Sequence, residues 1–147
     1  MIHRLKHRLV PVLLTVAAVL LWAEPAVSAP EPMVKPVQVF DVKAGKVVKT
    51  IPNDAEYQRF AVEWLRSVTG LSPQLKPHEK CGFVYRVPLS RPIRTHAGAL
   101  TFEVDDVFLF HCEQYEPVLL VFDAERRPYL LTFKADLKPF LRKIAAP

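Results

Sequence analysis

Glycine is scarce in this chain, with 4 in 147 residues, and cysteine scarcer still, with 2. Two sulfurs cannot build a disulfide-dense scaffold. The sequence holds no nucleotide-binding loop, no multi-ligand metal signature and no catalytic-triad pattern, so no reaction is legible in it. Its 14 prolines follow no period, which excludes collagen and argues against a mostly helical bundle. A charged fraction of 24% beside 10% aromatics is too apolar for a disordered polymer. At this length the chain makes one domain at most.

What is present begins with targeting grammar. Arg4, Lys6 and Arg8 precede an apolar run from Leu9 to Ala23 broken only by Pro11 and Thr15. That is the form of a signal peptide, and it falls short of the roughly 20 apolar residues a spanning helix needs. Ala26, Val27 and Ser28 supply small residues for cleavage after Ser28. A cut one residue later would place Pro30 against the scissile bond. Residues 1–28 are read as a signal peptide, with an uncleaved membrane anchor as the alternative. Their removal leaves 17 basic and 14 acidic residues, so the formal charge falls from +5 to +3. Most of the warrant for a nucleic-acid partner goes with them.

Residues 29–36 carry Pro30, Pro32 and Pro36 and read as an extended leader to a single domain over 37–147. VQVFDV and VVKTI flank a turn in which Gly45 supplies positive φ, which predicts a hairpin. A helix follows, with Asn53 as its cap, Glu56 completing a capping box and Gly70 closing it. Tyr57, Phe60, Ala61, Trp64, Leu65 and Val68 recur on one face of that helix. Trp64 is therefore the side chain whose loss should cost most.

Cys81–Val87 reads as a strand. The run Val107–Phe110, apolar on both sides, belongs in the middle of a sheet. Residues 118–122 and 129–133 form a second hairpin, and an amphipathic helix starts near Asp136 with Pro139 in its first turn. The expected fold is α+β: a mainly antiparallel sheet of about five to seven strands, one amphipathic helix packed on a face, and a short C-terminal helix.

Two resemblances attach to these segments. VFDVKAGKVVKTIP, residues 39–52, resembles one repeat of bacterial seven-bladed propeller surface proteins, and Val121-Phe122-Asp123 echoes its first triplet. The chain is too short for four blades, so the shared triplet reads as hairpin grammar, with Asp accepting hydrogen bonds from its own turn. Over a longer span, from Val37 through Leu71 and again over VDDVFLF and LLVFDAERRPYLLTF, the chain resembles uncharacterised small secreted proteins of spore-forming Gram-positive bacteria. That resemblance implies an extracytoplasmic single domain and carries no activity to transfer.

The chemistry candidates are few. Cys81 and Cys112 are a candidate disulfide, with two separate buried thiols as the other reading. An antiparallel register that opposes them would also oppose Phe83 with Phe110 and Tyr85 with Phe108. His78, Cys81, His111 and Cys112 are four zinc-capable side chains, although neighbours on a strand point to opposite faces. A cysteine nucleophile with His78 or His111 as base would need an exposed thiolate. Glu103, Asp105 and Asp106 lack the glycine-marked loop of a calcium site and read as a solvated strand end. Arg86, Arg91, Arg94 and His96 form one basic stretch. Arg126, Arg127, Lys138, Arg142 and Lys143 form another.

No catalytic, metal or cofactor site is assigned. The function expected is an exported, non-enzymatic binding module of the cell envelope or extracellular space, whose partner is an anionic envelope polymer or another protein. No nucleic acid is expected, and membrane contact only through the signal segment. The alternative is a small exported hydrolase or thiol enzyme using Cys81 or Cys112 with a nearby histidine.

Overall fold

A computed structural model of the chain describes residues 33–73 and 81–146. The signal-peptide reading, the first half of the leader and His78 lie outside the described residues.

Among the described residues seven strands and two helices follow in the order β1 (Val37–Asp41), β2 (Lys46–Ile51), α1 (Ala55–Arg66), β3 (Val68–Leu71), β4 (Phe83–Ala97), β5 (Leu100–Cys112), β6 (Tyr115–Phe122), β7 (Pro128–Phe133) and α2 (Lys138–Ala145). The strands form one sheet ordered β2-β1-β4-β5-β6-β7-β3, and every neighbouring pair is antiparallel. The fold is the α+β class expected. β5, which carries the doubly apolar VFLF run, takes the central place. β3 at the far edge also lies against β4, which is not its neighbour in the sheet, so the sheet curls around its helices.

The two hairpins expected from the sequence, β1–β2 and β6–β7, use the same aspartate device. Asp41 ends β1, accepts from the Ala44 N–H at 2.9 Å through its side chain and from the Gly45 N–H at 2.8 Å through its carbonyl. Gly45 has φ 64°, the left-handed value that glycine adopts at least cost. Asp123 directly follows β6 and accepts from the Arg127 N–H at 2.8 Å.

The start of α1 corrects the sequence reading. Asp54, not Asn53, is the cap, accepting from the N–H groups of Glu56 at 2.9 Å and Tyr57 at 3.0 Å. Asn53 serves another purpose. Its amide donates to the carbonyls of Lys35 at 3.0 Å and Pro88 at 2.8 Å, and accepts from Gln58, which itself donates to the Pro88 carbonyl. Gln58 also accepts from the Ser90 N–H at 2.8 Å. Pro88 and Pro92 bracket the shift in the β4–β5 register between Pro88 and Ile93. These two amide side chains therefore satisfy backbone groups that the kinked strand cannot pair within the sheet.

The end of α1 is a second correction. The helix stops at Arg66, capped by Ser67, and Val68 and Gly70 belong to β3.

The core fills the concave side of the sheet. From α1 it takes Tyr57, Phe60, Ala61, Trp64 and Leu65, and from α2 Phe140 and Ile144. These meet Val37, Val39, Tyr85, Val87, Val107 and Leu109 from the strands. Burial raises the Tyr57 and Tyr85 hydroxyls above their usual pKa. Thr95, the one buried polar side chain among the described residues, donates to the Leu65 carbonyl at 2.6 Å.

Two lysines fix the C-terminal turn of α2. Lys49 from β2 donates to the Ile144 and Ala146 carbonyls at 2.8 and 2.7 Å, capping the C-terminus. Lys143 reaches Asp54 at 2.7 Å and Glu56 at 2.8 Å, joining α2 to the first turn of α1. Its hydrogen bond to Asp54 leads the causes that hold that carboxyl below its ordinary 3.8, and the same contact raises the Lys143 ammonium. A depressed carboxyl contributes its stability above the unfolded value and loses it as pH falls through the folded one. The lysine's contribution is lost only as pH rises beyond its ordinary alkaline range. Asp54→Ala is expected to cost about 1 kcal/mol near neutral pH through the lost cap. The difference should shrink in urea titrations carried out well below pH 4. A pH-independent difference would assign the effect to something other than the charged cap.

Candidate functional site

Cys81 and Cys112 are joined in a disulfide with Cα atoms 5.8 Å apart, and neither is a free thiol. They are not opposed in the ladder. β4 and β5 pair Phe83 with His111, Val84 with Phe110 and Tyr85 with Leu109, one residue away from the register that would stack Phe83 on Phe110 and Tyr85 on Phe108. That slip exchanges the two faces. Tyr85 and Leu109 enter the core, while Phe108 and Phe110 go to the outer side. Gly82 absorbs the offset: at φ 80° its Cα lies so near the His111 carbonyl that any Cβ would collide with it.

The disulfide lies on an open groove of 720 Å³ between β1, β4 and α2, lined by Val39, Val48, Phe83, Tyr85, Leu141 and Ile144 with His111 at one end. The structure thus brings His111 and both sulfurs to one place, but with the sulfurs bonded to each other. Among the described residues no three His, Cys, Asp or Glu side chains converge as a metal site.

The larger concavity is a cleft of 970 Å³ between the outer end of β5 and the β6–β7 turn. Strand lengths create it. β5 pairs with β4 as far as Leu100, but its ladder with β6 begins only at Phe108. Among the described residues no strand is paired with Leu100–Val107 on that side. Val104 and Val107 are both buried, so Asp105 and Asp106 between them interrupt the two-residue alternation and turn toward solvent.

The charged residues noted in the sequence meet in this cleft, with both signs together. Arg86 holds Asp106 at 3.1 Å and lies over the Phe108 ring at 5.8 Å. Arg127 holds Asp123 at 2.6 Å and Glu125 at 3.2 Å. Arg126, at φ 64°, lies over Phe122 at 5.9 Å. Partial burial of Asp123 pushes its pKa up, but hydrogen bonds from Arg127 and Tyr129 outweigh it and leave the carboxyl below its usual value. Arg94 and Glu103 are cross-strand partners, yet neither they nor Asp105 has an ion pair among the described residues.

The two basic stretches thus dissolve. Within the first, Arg86 is paired and His96 bonds Thr101 at 3.0 Å. In the second, Arg126 and Arg127 belong to the cleft while Lys143 is tied to α1.

The floor of the cleft was hidden from sequence reasoning. Phe108 and Phe122 meet edge to face at 5.8 Å on the outer side of the sheet, while Phe102 and Tyr129, 4.9 Å apart, belong to the core behind it. On the same outer side Val84, Phe110, Leu120 and Leu130 remain partly exposed. Their signal was the apolar run on both faces of β5, which announced a second apolar surface without saying what would cover it.

No protein-family model matches the chain, and neither the curated proteins nor the solved structures contain a significant match to it.

Proposed function

We propose that the chain is an exported binding module of the cell envelope or extracellular space, and that its partner is another protein engaged through the outer face of the sheet. One observation carries the reading: both helices pack on the concave side, while the outer side presents Phe108, Phe110, Leu120 and Phe122 partly exposed beside the 970 Å³ cleft. A contiguous apolar surface rimmed by charge is the mark of an interaction site. The mixed signs around the cleft favour a protein over an anionic polymer, which would call for a field of one sign. The disulfide favours the binding module over the thiol enzyme, because a bonded sulfur is not a nucleophile.

The test is retention on cell-envelope fractions from the source organism. Wild type is expected to be retained and to begin at Ala29, and Phe108→Asp, at the edge of the cleft, to lose at least about tenfold of the bound fraction, the loss of a hot-spot aromatic. Circular dichroism checks that the variant is folded. Equal retention of both proteins, or none by wild type, would remove the proposal.

A further inference from the structure

We propose that the cleft takes an extended peptide segment of the partner, which adds as a strand to the free edge of β5 over Leu100–Val107. The inference rests on the binding-module reading and gives it a mode. An edge strand offers a row of backbone donors and acceptors ready to pair with another chain. Here the open edge is eight residues, roughly 26 Å at about 3.3 Å per residue, and it begins where β6 drops away from β5.

The cleft is built to receive such a segment. Its far wall is the β6–β7 turn, held by hydrogen bonds from the Arg127 backbone and guanidinium and the Tyr129 hydroxyl to Asp123, so little ordering remains for binding to drive. Phe108 and Phe122 give an apolar floor for the side chains that point inward.

Charge decides the kind of segment. Arg86 and Arg127 are already matched within the cleft. The charges left over are Arg94 and Arg126 on one side of the account and Glu103 and Asp105 on the other. Two of each sign complement a segment carrying both an acid and a base, and they disfavour a polyanionic or polycationic one.

The probe is a phage-displayed library of random nonapeptides selected on the exported domain, with the strongest peptide resynthesised in two N-methylated forms. An extended peptide turns alternate amides toward the strand it pairs with. Methylating the amides of one phase should weaken binding at least about tenfold, while methylating the other phase leaves it nearly unchanged. Amide exchange of Leu100–Val107 should slow in the complex. Arg94→Glu with Glu103→Arg, which exchanges the charges without touching the core, should change the sequences selected.

Failure to enrich any peptide overturns the proposal, as does equal sensitivity to both methylation phases or protection mapped away from β5. Self-association of the free domain, reversed by the peptide, would show the edge occupied by a second copy instead and also overturns it. If these fail while Phe108→Asp still abolishes envelope retention, the binding module survives and only its mode is lost.

Discussion

Replacing Phe140 by alanine is expected to destabilise the domain by about 3–5 kcal/mol, the range for removing a fully buried phenylalanine. The ring is 0% exposed. Four other rings meet it edge to face, Tyr57 at 6.0 Å, Phe60 at 5.8 Å, Trp64 at 4.7 Å and Tyr85 at 5.2 Å. Three belong to α1 and one to β4, so this single side chain joins both helices to the sheet. Helix α2 has eight residues and buries only Phe140 and Ile144 fully. A helix that short does not persist without tertiary contacts. Loss of the ring should therefore release Lys143 from Asp54 and Lys49 from the carbonyls of Ile144 and Ala146 as well. Against a total of about 5–15 kcal/mol for a typical domain, the variant is expected to be partly unfolded at 37 °C. Urea titration followed by far-UV circular dichroism measures it. Phe140→Leu, which keeps much of the volume, should cost distinctly less, and equal costs would show that the edge-to-face geometry contributes little. Trp64→Ala, also at a 0% exposed site, belongs to the same class.

That comparison shows where the sequence was informative. The stripe from Tyr57 to Leu65 was readable because burial on a helix repeats every three or four residues whatever the rest of the chain does. Phe140, four residues before Ile144, falls on the buried face of α2 by the same periodicity. Its place at the centre of four rings depends on how β4 crosses the helices, which no local pattern encodes. Asn53 was a reasonable cap by composition, but Asp54 beside it has the same capacity. The choice falls to the proline kink in β4, whose carbonyl at Pro88 needs a donor. Gly70 looked like a helix stop, and the chain instead turned at Ser67, where the hydroxyl bonds the Trp64 carbonyl at 2.9 Å.

The cleft was illegible for a related reason. It exists because β6 is eight residues long while β5 has 13, and because Asp105 and Asp106 break the alternation opposite the kink at Pro88. Each is a relation between segments distant in the chain. The residues themselves were all visible: Arg86, Arg94 and Arg126 read as basic surface, and Glu103, Asp105 and Asp106 as a strand end. Only pairing across the sheet places opposite signs around a common aromatic floor. The same non-local logic moved Phe108 and Phe110 outward: a slip of one residue exchanges the two faces, and a run that is apolar at every position, as VFLF is, offers no alternation to fix the register.

The disulfide supplies the second large expected effect. By the loop-entropy relation, closing the 32 residues from Cys81 to Cys112 lowers the entropy of the unfolded chain by an amount worth about 3.7 kcal/mol. Reduction, or Cys81→Ser with Cys112→Ser, should therefore lower the urea midpoint substantially, and the two routes should agree. The folded state has little reason to change around the broken bond. Gly82 still sets the start of β4 against His111, and the Val42 N–H still donates to the Gly82 carbonyl at 3.2 Å. The effect then resides in the unfolded ensemble, which expands when the cross-link is lost. A rise in the slope of free energy against urea should accompany the fall in midpoint. The proposed binding at the cleft lies at the opposite end of β5 and should survive reduction in the folded fraction, since sites without shared partners behave independently. An unchanged midpoint would mean that the antiparallel ladder of β4 and β5 already confines the two ends without help from sulfur. Loss of peptide binding in the folded, reduced protein would couple the two ends of the sheet.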